Sequence, residues 1–163
     1  MKYIITIVLI LIDCSIFAQN TEFIKGKGYE GYIFPKEHSI WGFPPEQNRY
    51  TPSIEDIAKA EKILKDSIGT DYVKSNQEAY RKPPINRITL KNYVRQYVGY
   101  LTDDNEVIIW INMLHKKHCN DSENKESLSS DIINVLDGGF LFWRIQINVS
   151  TKELSGIGVN GIG

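Results

Sequence analysis

A chain of 163 residues, 42% of them hydrophobic, is sized for one domain that buries its own core without metal or disulfide staples. Its 19 Lys and Arg and 20 Asp and Glu are interspersed and net −1, which argues against nucleic acid or an anionic membrane as main partner, since both demand a basic excess. Two cysteines, one of them in the N-terminal segment, leave Cys119 without an internal disulfide partner in a processed chain.

Met1-Lys2-Tyr3, the apolar run Ile4 to Ile12 and Ala18 form the pattern of a secretory signal peptide over residues 1–18, cut near Ala18 or Gln19. The run is short for a bilayer span. Cys14 follows Asp13, where a lipid-modification site wants a small residue, so plain cleavage is expected rather than a lipoprotein. The expected location is periplasmic or secreted, with no transmembrane span after cleavage.

Residues 19–52 are rich in glycine, proline and aromatic rings and show no helical period, which reads as an extended arm or short edge strand lying over the body. Residues 53–163 read as the folded domain. Ser53 is an N-cap, with Asp56 completing a capping box. Ile54, Ile57, Ala58, Leu64 and Ile68 share one helical face, and Glu55–Lys59 and Glu61–Lys65 are acid-first pairs on the wet side. Gly69 suits the residue just past the helix end.

Residues 70–86 read as a proline-broken loop, and Ile88 to Leu101 as a strand whose faces are ambiguous, because Gln96 lies between Val94 and Val98. Glu106 to Leu114 is apolar on both sides and should be a central strand. His115 to Ser130 reads as a charged loop. Asp131 to Leu136, the turn Asp137-Gly138-Gly139, Phe140 to Ser150, Thr151 to Glu153 and Leu154 to Gly163 read as a three-strand meander. Leu141, Trp143, Ile145, Ile147 and Val149 alternate with polar and aromatic residues, the mark of one buried face.

The fold class expected from this order is α+β, with one N-terminal helix across a four- to five-stranded antiparallel sheet. That order resembles the cystatin-like and NTF2-like rolls. Tyr93-Val-Arg-Gln-Tyr-Val-Gly-Tyr100, Asp137-Gly-Gly139 and Val159-Asn-Gly161 are similar to phrases of small uncharacterised secreted proteins of Bacteroidota, a resemblance that covers residues 50–163 and implies no activity. Gln96-Tyr97-Val98-Gly99 also resembles the cystatin wedge, but Tyr100 stands where that wedge has glycine.

The sheet face opposite the helix is the candidate binding surface, with Arg95, Asn112, Arg144, Gln146, Asn148 and Asn160 among the rings of Tyr93, Tyr97 and Trp110. Polar groups mixed with rings suit a protein, peptide or glycan ligand. His115, His118 and Cys119 are the one cluster of metal-ligand types, at a spacing that matches no standard zinc pattern. Asp103, Asp104, Asp131 and Asp137 sit at turn positions, and no nucleophile elbow, P-loop or dinucleotide fingerprint occurs. The sequence therefore points to an exported, non-enzymatic binding protein without a cofactor, an immunity or inhibitor protein being one variety. The alternative is a small NTF2-like enzyme using an acid and a tyrosine on the concave face.

Overall fold

The computed structural model describes residues 21–43, 45, 48–69, 85–119 and 122–161, with the backbone alone for 122–125. The expected signal peptide and most of the expected 70–86 loop lie outside these residues. Among the described residues, no helix is long and apolar enough to cross a membrane.

The architecture is α+β, built on a mostly antiparallel sheet of seven strands rather than four or five. The strands are β1 (Glu22–Gly26), β2 (Tyr29–Phe34), β3 (Arg49–Tyr50), β4 (Tyr93–Leu101), β5 (Val107–His115), β6 (Phe142–Asn148) and β7 (Glu153–Val159). Their order is β1-β2-β4-β5-β6-β7. The β1–β2 hairpin therefore belongs to the sheet, with β1 as its edge strand, and residues 35–43 lie over the body. β2 runs parallel to β4, and the two-residue β3 pairs antiparallel with the far end of β4. β5 is central, as its two apolar faces require.

Helix α1 (Ile54–Ser67) has the expected capping box: Ser53 Oγ accepts from the Asp56 amide at 3.2 Å, and Asp56 Oδ2 accepts from the Ser53 amide at 3.3 Å. Its last turn closes through the Ile68 amide onto Leu64 O, and Gly69 stands just past the helix end as expected, without a positive φ. The inward stripe is Ile57, Ala60, Glu61, Leu64 and Ile68, whereas Ile54 and Ala58 face out. Glu61 turns in to meet Arg95, so the expected Glu61–Lys65 pair gives way; Lys59 pairs with Asp56 and Lys62 with Asp66.

The ladder register fixes which residues share a face. Arg95, Met113, Trp143 and Val159 form one cross-strand row under α1, and Tyr97, Ile111 and Ile145 form the next. With Ile57, Ala60, Leu64, Ile109 and Ile147 they belong to the main core, in which Trp143 is 1% exposed. Burying such a ring contributes about 1.5–3 kcal/mol or more.

Two expected elements take other forms. Residues 131–138 are not a strand and hairpin; they cross the opposite sheet face as irregular chain, and a 3-10 turn (Gly139–Leu141) leads into β6. Residues 116–130 are not a loop: they hold a 3-10 turn (Lys116–His118) and helix α2 (Ser122–Ser130). Leu128, 3% exposed, anchors α2 against Leu114 and Cys119.

Candidate functional site

The second face of the sheet is built in two rows by the same register. Gln96, Asn112, Arg144 and Gly158 lie side by side across β4, β5, β6 and β7, and Val98, Trp110, Gln146 and Ser155 lie beside them. A bulge in β7 separates these rows at Gly156, whose φ of 57° suits glycine. A Cβ on Gly158 would come within 3.1 Å of the Arg144 guanidinium, and one on Gly156 within 3.1 Å of the Gln146 amide. The small edge residues thus leave room for two long polar side chains to lie along the sheet.

Two loops wall this floor. The first is the chain from Pro35 to Phe43, pinned by Arg49, which is buried and donates to Gly99 O at 3.3 Å, His38 O at 3.2 Å and Pro35 O at 3.4 Å. Its Phe43 ring meets Trp110 edge-on at 4.8 Å. The second wall runs from Leu128 to Val135. Gln96 Nε2 donates to Leu128 O at 2.9 Å and Asp131 O at 2.8 Å, and Gln96 Oε1 accepts from the Ile133 amide at 2.9 Å and from Asn112 Nδ2 at 3.0 Å. Asn112 Nδ2 also donates to Ile133 O at 2.8 Å. These two amides supply the partners that a neighbouring strand would have given residues 128–133, which is why an apolar run here need not join the sheet. Asn160 holds the end of the wall through Val135 O and Asp137 O.

Between the walls is a cavity of 690 Å³, within the range of small-ligand sites. Trp41, Phe43, Tyr100 and Trp110 line it with rings, and Asn112, Arg144, Gln146 and Asn160 with polar groups. Gln146 Oε1 accepts from Tyr100 Oη at 2.8 Å. Among the described residues, the Arg144 guanidinium, Gln146 Nε2 and the Trp110 N–H have no hydrogen-bond partner. Trp41 is 93% exposed. The one lining carboxylate among the described residues, Asp131, is 76% exposed at its side chain and lies 3.6 Å from His38 Nε2.

The expected site residues divide accordingly. Trp110, Asn112, Arg144 and Gln146 line the cavity, as does Asn160. Asn148 shares their face but is engaged with Glu106 Oε2 at 2.8 Å. Tyr93, Arg95 and Tyr97 do not belong to this surface: they face α1 and are 2% exposed or less. Arg95 is paired there with Glu61 (3.0 Å), which also accepts from Tyr97 Oη at 2.9 Å. Burial, then the Glu61 charge, pushes the Tyr97 phenol well above its ordinary value. Burial pushes the Tyr93 phenol up to about 12. From β4 it is Tyr100 that lines the cavity and Gln96 that holds its second wall, through partners at Leu128, Asp131 and Ile133, in stretches expected to be a loop and a separate strand. The same register buries the wedge-like Gln96 to Gly99 stretch in the middle of a strand, where it cannot serve as an exposed inhibitory turn.

His115, His118 and Cys119 each spend their contacts on the surrounding rings and apolar side chains. His115 meets the Tyr93 ring edge-on, His118 lies against Phe142, and Cys119 is buried beside Leu114, its thiol pushed up by burial. No group of three side chains able to hold a metal ion occurs among the described residues.

Comparison with known protein families, with curated proteins and with solved structures returns no match.

Proposed function

We propose that the protein is an exported binding protein and that the cavity on the second sheet face holds its ligand, a glycan or peptide with a flat apolar side and an edge rich in acceptors. The carrying observation is that the unspent polar groups of the cavity are mainly donors, Arg144, Gln146 Nε2 and the Trp110 N–H, set beside the rings of Trp41, Phe43 and Trp110. Rings bind the apolar side, and an unpaired guanidinium supplies a fork for a carboxylate or a row of hydroxyls. The N-terminal pattern of residues 1–18 supports export, and the cystatin-like or NTF2-like kinship belongs to the same proposal. A carboxylate buried beside a tyrosine within this cavity would favour the enzyme reading; here Tyr100 is engaged with Gln146, Asp131 stands at the rim, and the buried Glu61–Tyr97 pair lies on the other face of the sheet.

The test is fluorescence titration with panels of short oligosaccharides and peptides, because Trp41 and Trp110 both line the cavity. Saturable quenching that weakens at least tenfold in Arg144→Ala is expected. Ligand binding that is indifferent to both Arg144→Ala and Trp41→Ala would overturn the assignment of the site.

A further inference from the structure

A second cavity, of 610 Å³, lies on the other side of the sheet, between the outer flank of α1, the β1–β2 turn and the 3-10 turn Thr89–Asn92. Its charge is at odds with the chain as a whole. The protein nets −1, yet among the described residues this cavity is lined by Lys27, Lys62, Lys65, Arg87, Lys91 and Arg95 against the single acid Glu61.

Three of these cations are already engaged, by two carboxylates. Arg95 is spent on Glu61, Lys62 reaches Asp66 at 2.7 Å, and Arg87 donates to Lys65 O at 2.7 Å while lying 3.8 Å from the Asp66 carboxylate. Lys27, Lys65 and Lys91 pair with no carboxylate among the described residues. They come from three separate segments and converge on one space, so the surplus is made by the fold and not by a local run of basic sequence. Like charges gathered around a walled space repel one another and raise the local potential, an arrangement that favours an anion.

We propose that this cavity binds a phosphate-bearing ligand carrying two phosphate groups or their equivalent. Lysine ammonium groups are compact point charges suited to phosphate oxygens, whereas planar recognition of one carboxylate calls for a free arginine fork, and both arginines here are engaged. A terminal phosphate brings about −1.5 to −2 near neutral pH, so a pair matches three unpaired lysines better than a single carboxylate does. Leu90 and Tyr29 give the space an apolar wall for whatever body carries the phosphates.

Calorimetric titration of the purified protein with pyrophosphate, at low salt, tests this. Binding should fall at least tenfold in the triple variant Lys27→Gln, Lys65→Gln, Lys91→Gln. The same charge removed elsewhere, in Lys36→Gln, Lys117→Gln, Lys152→Gln, should leave it within about twofold. The substituted lysines are exposed, so both variants should keep the parent's denaturation midpoint. Sedimentation with phosphatidylglycerol vesicles then separates the sources. Retention of the parent but not of the pocket variant places the phosphate on a lipid headgroup, and pyrophosphate binding without vesicle binding places it on a soluble ligand. The proposal fails if neither probe binds at millimolar concentration, or if the two triple variants lose binding equally.

Discussion

The two faces of the central strands are closed by different forces. Under α1 the rows are aliphatic and aromatic, and closure comes from removing apolar surface from water. On the other face two small apolar clusters, around Phe34 and Leu114, flank a polar row, and closure comes from side-chain amides tied to loop backbone. The first kind of closure is indifferent to direction and fills the space between the helix stripe and the sheet. The second fixes the position of a loop without filling the space beneath it, so a cavity survives.

The sharpest test of this contrast is a pair of neighbours. Trp143→Ala should lower stability by about 3–5 kcal/mol, because the ring is lost and a void remains. Arg144→Ala, one residue on and facing the cavity, should change it by no more than about 0.5 kcal/mol. Denaturant midpoints decide between them, and similar losses would mean that the faces are not as different as described.

The dry face has a charged exception in the Arg95–Glu61 pair, and Glu61→Ala probes it. Arg95 would stay fully buried with its charge unpaired, at a cost of about 3 kcal/mol, within the range for breaking a buried ion pair. Replacing both partners with apolar residues should recover most of that loss, which thermal melts of single and double variants would measure.

On the wet face, Gln96→Leu would strand Leu128 O, Asp131 O and the Ile133 amide, a loss of about 1–3 kcal/mol. Hydrogen exchange should rise across residues 128–133 while β5 and β6 stay protected. Uniform loosening would show that the amides contribute no more than packing.

The smallest effect concerns pH. The Lys116 ammonium donates to Glu30 and holds its carboxyl below the usual carboxylate range. A depressed folded value gives stability that is present above the unfolded pKa of about 4.3 and is lost as pH falls through the lower, folded value. Both groups are partly exposed, so Glu30→Gln should cost about 0.2–1 kcal/mol at pH 7 and progressively less as pH drops below about 4.3, measured by urea unfolding.

Legibility in the sequence follows the same division. The capping box, the helix span and the inward face of β6 are written in local spacing, and each depends on one face being apolar. β4 defeats that logic, because Arg95 and Gln96 are both buried, on opposite faces, so alternation cannot tell which side is which. Residues 131–136 have a strand's composition and find their partners in side chains more than 20 positions away. Helix α2 is polar, with Leu128 its one buried anchor among residues 126–130, too little for a periodic signal. Four residues of the cavity floor could be named in advance because they alternate along β5 and β6. The loop that pairs Phe43 with Trp110 could not, since its position depends on Arg49 and on chain closure. The lysine-lined cavity is assembled from three distant segments and leaves no trace in any window of the sequence.

The parallel pairing of β2 with β4 has a kinetic consequence. β4, β5, β6 and β7 meet as sequence neighbours, but Gly31 must find Arg95 across 64 positions (95 minus 31) before β2 can dock. Closing so long a loop is slow and entropically unfavourable until many contacts form together. The C-terminal strands can therefore nucleate the domain while the N-terminal hairpin arrives late. For the same reason the hairpin can detach first, through a partial opening that spares most of the sheet. Both cavities take part of their boundary from this late-arriving stretch, Lys27 to Tyr29 for one and Ser39 to Phe43 for the other. One docking event thus completes two cavities on opposite faces of the sheet.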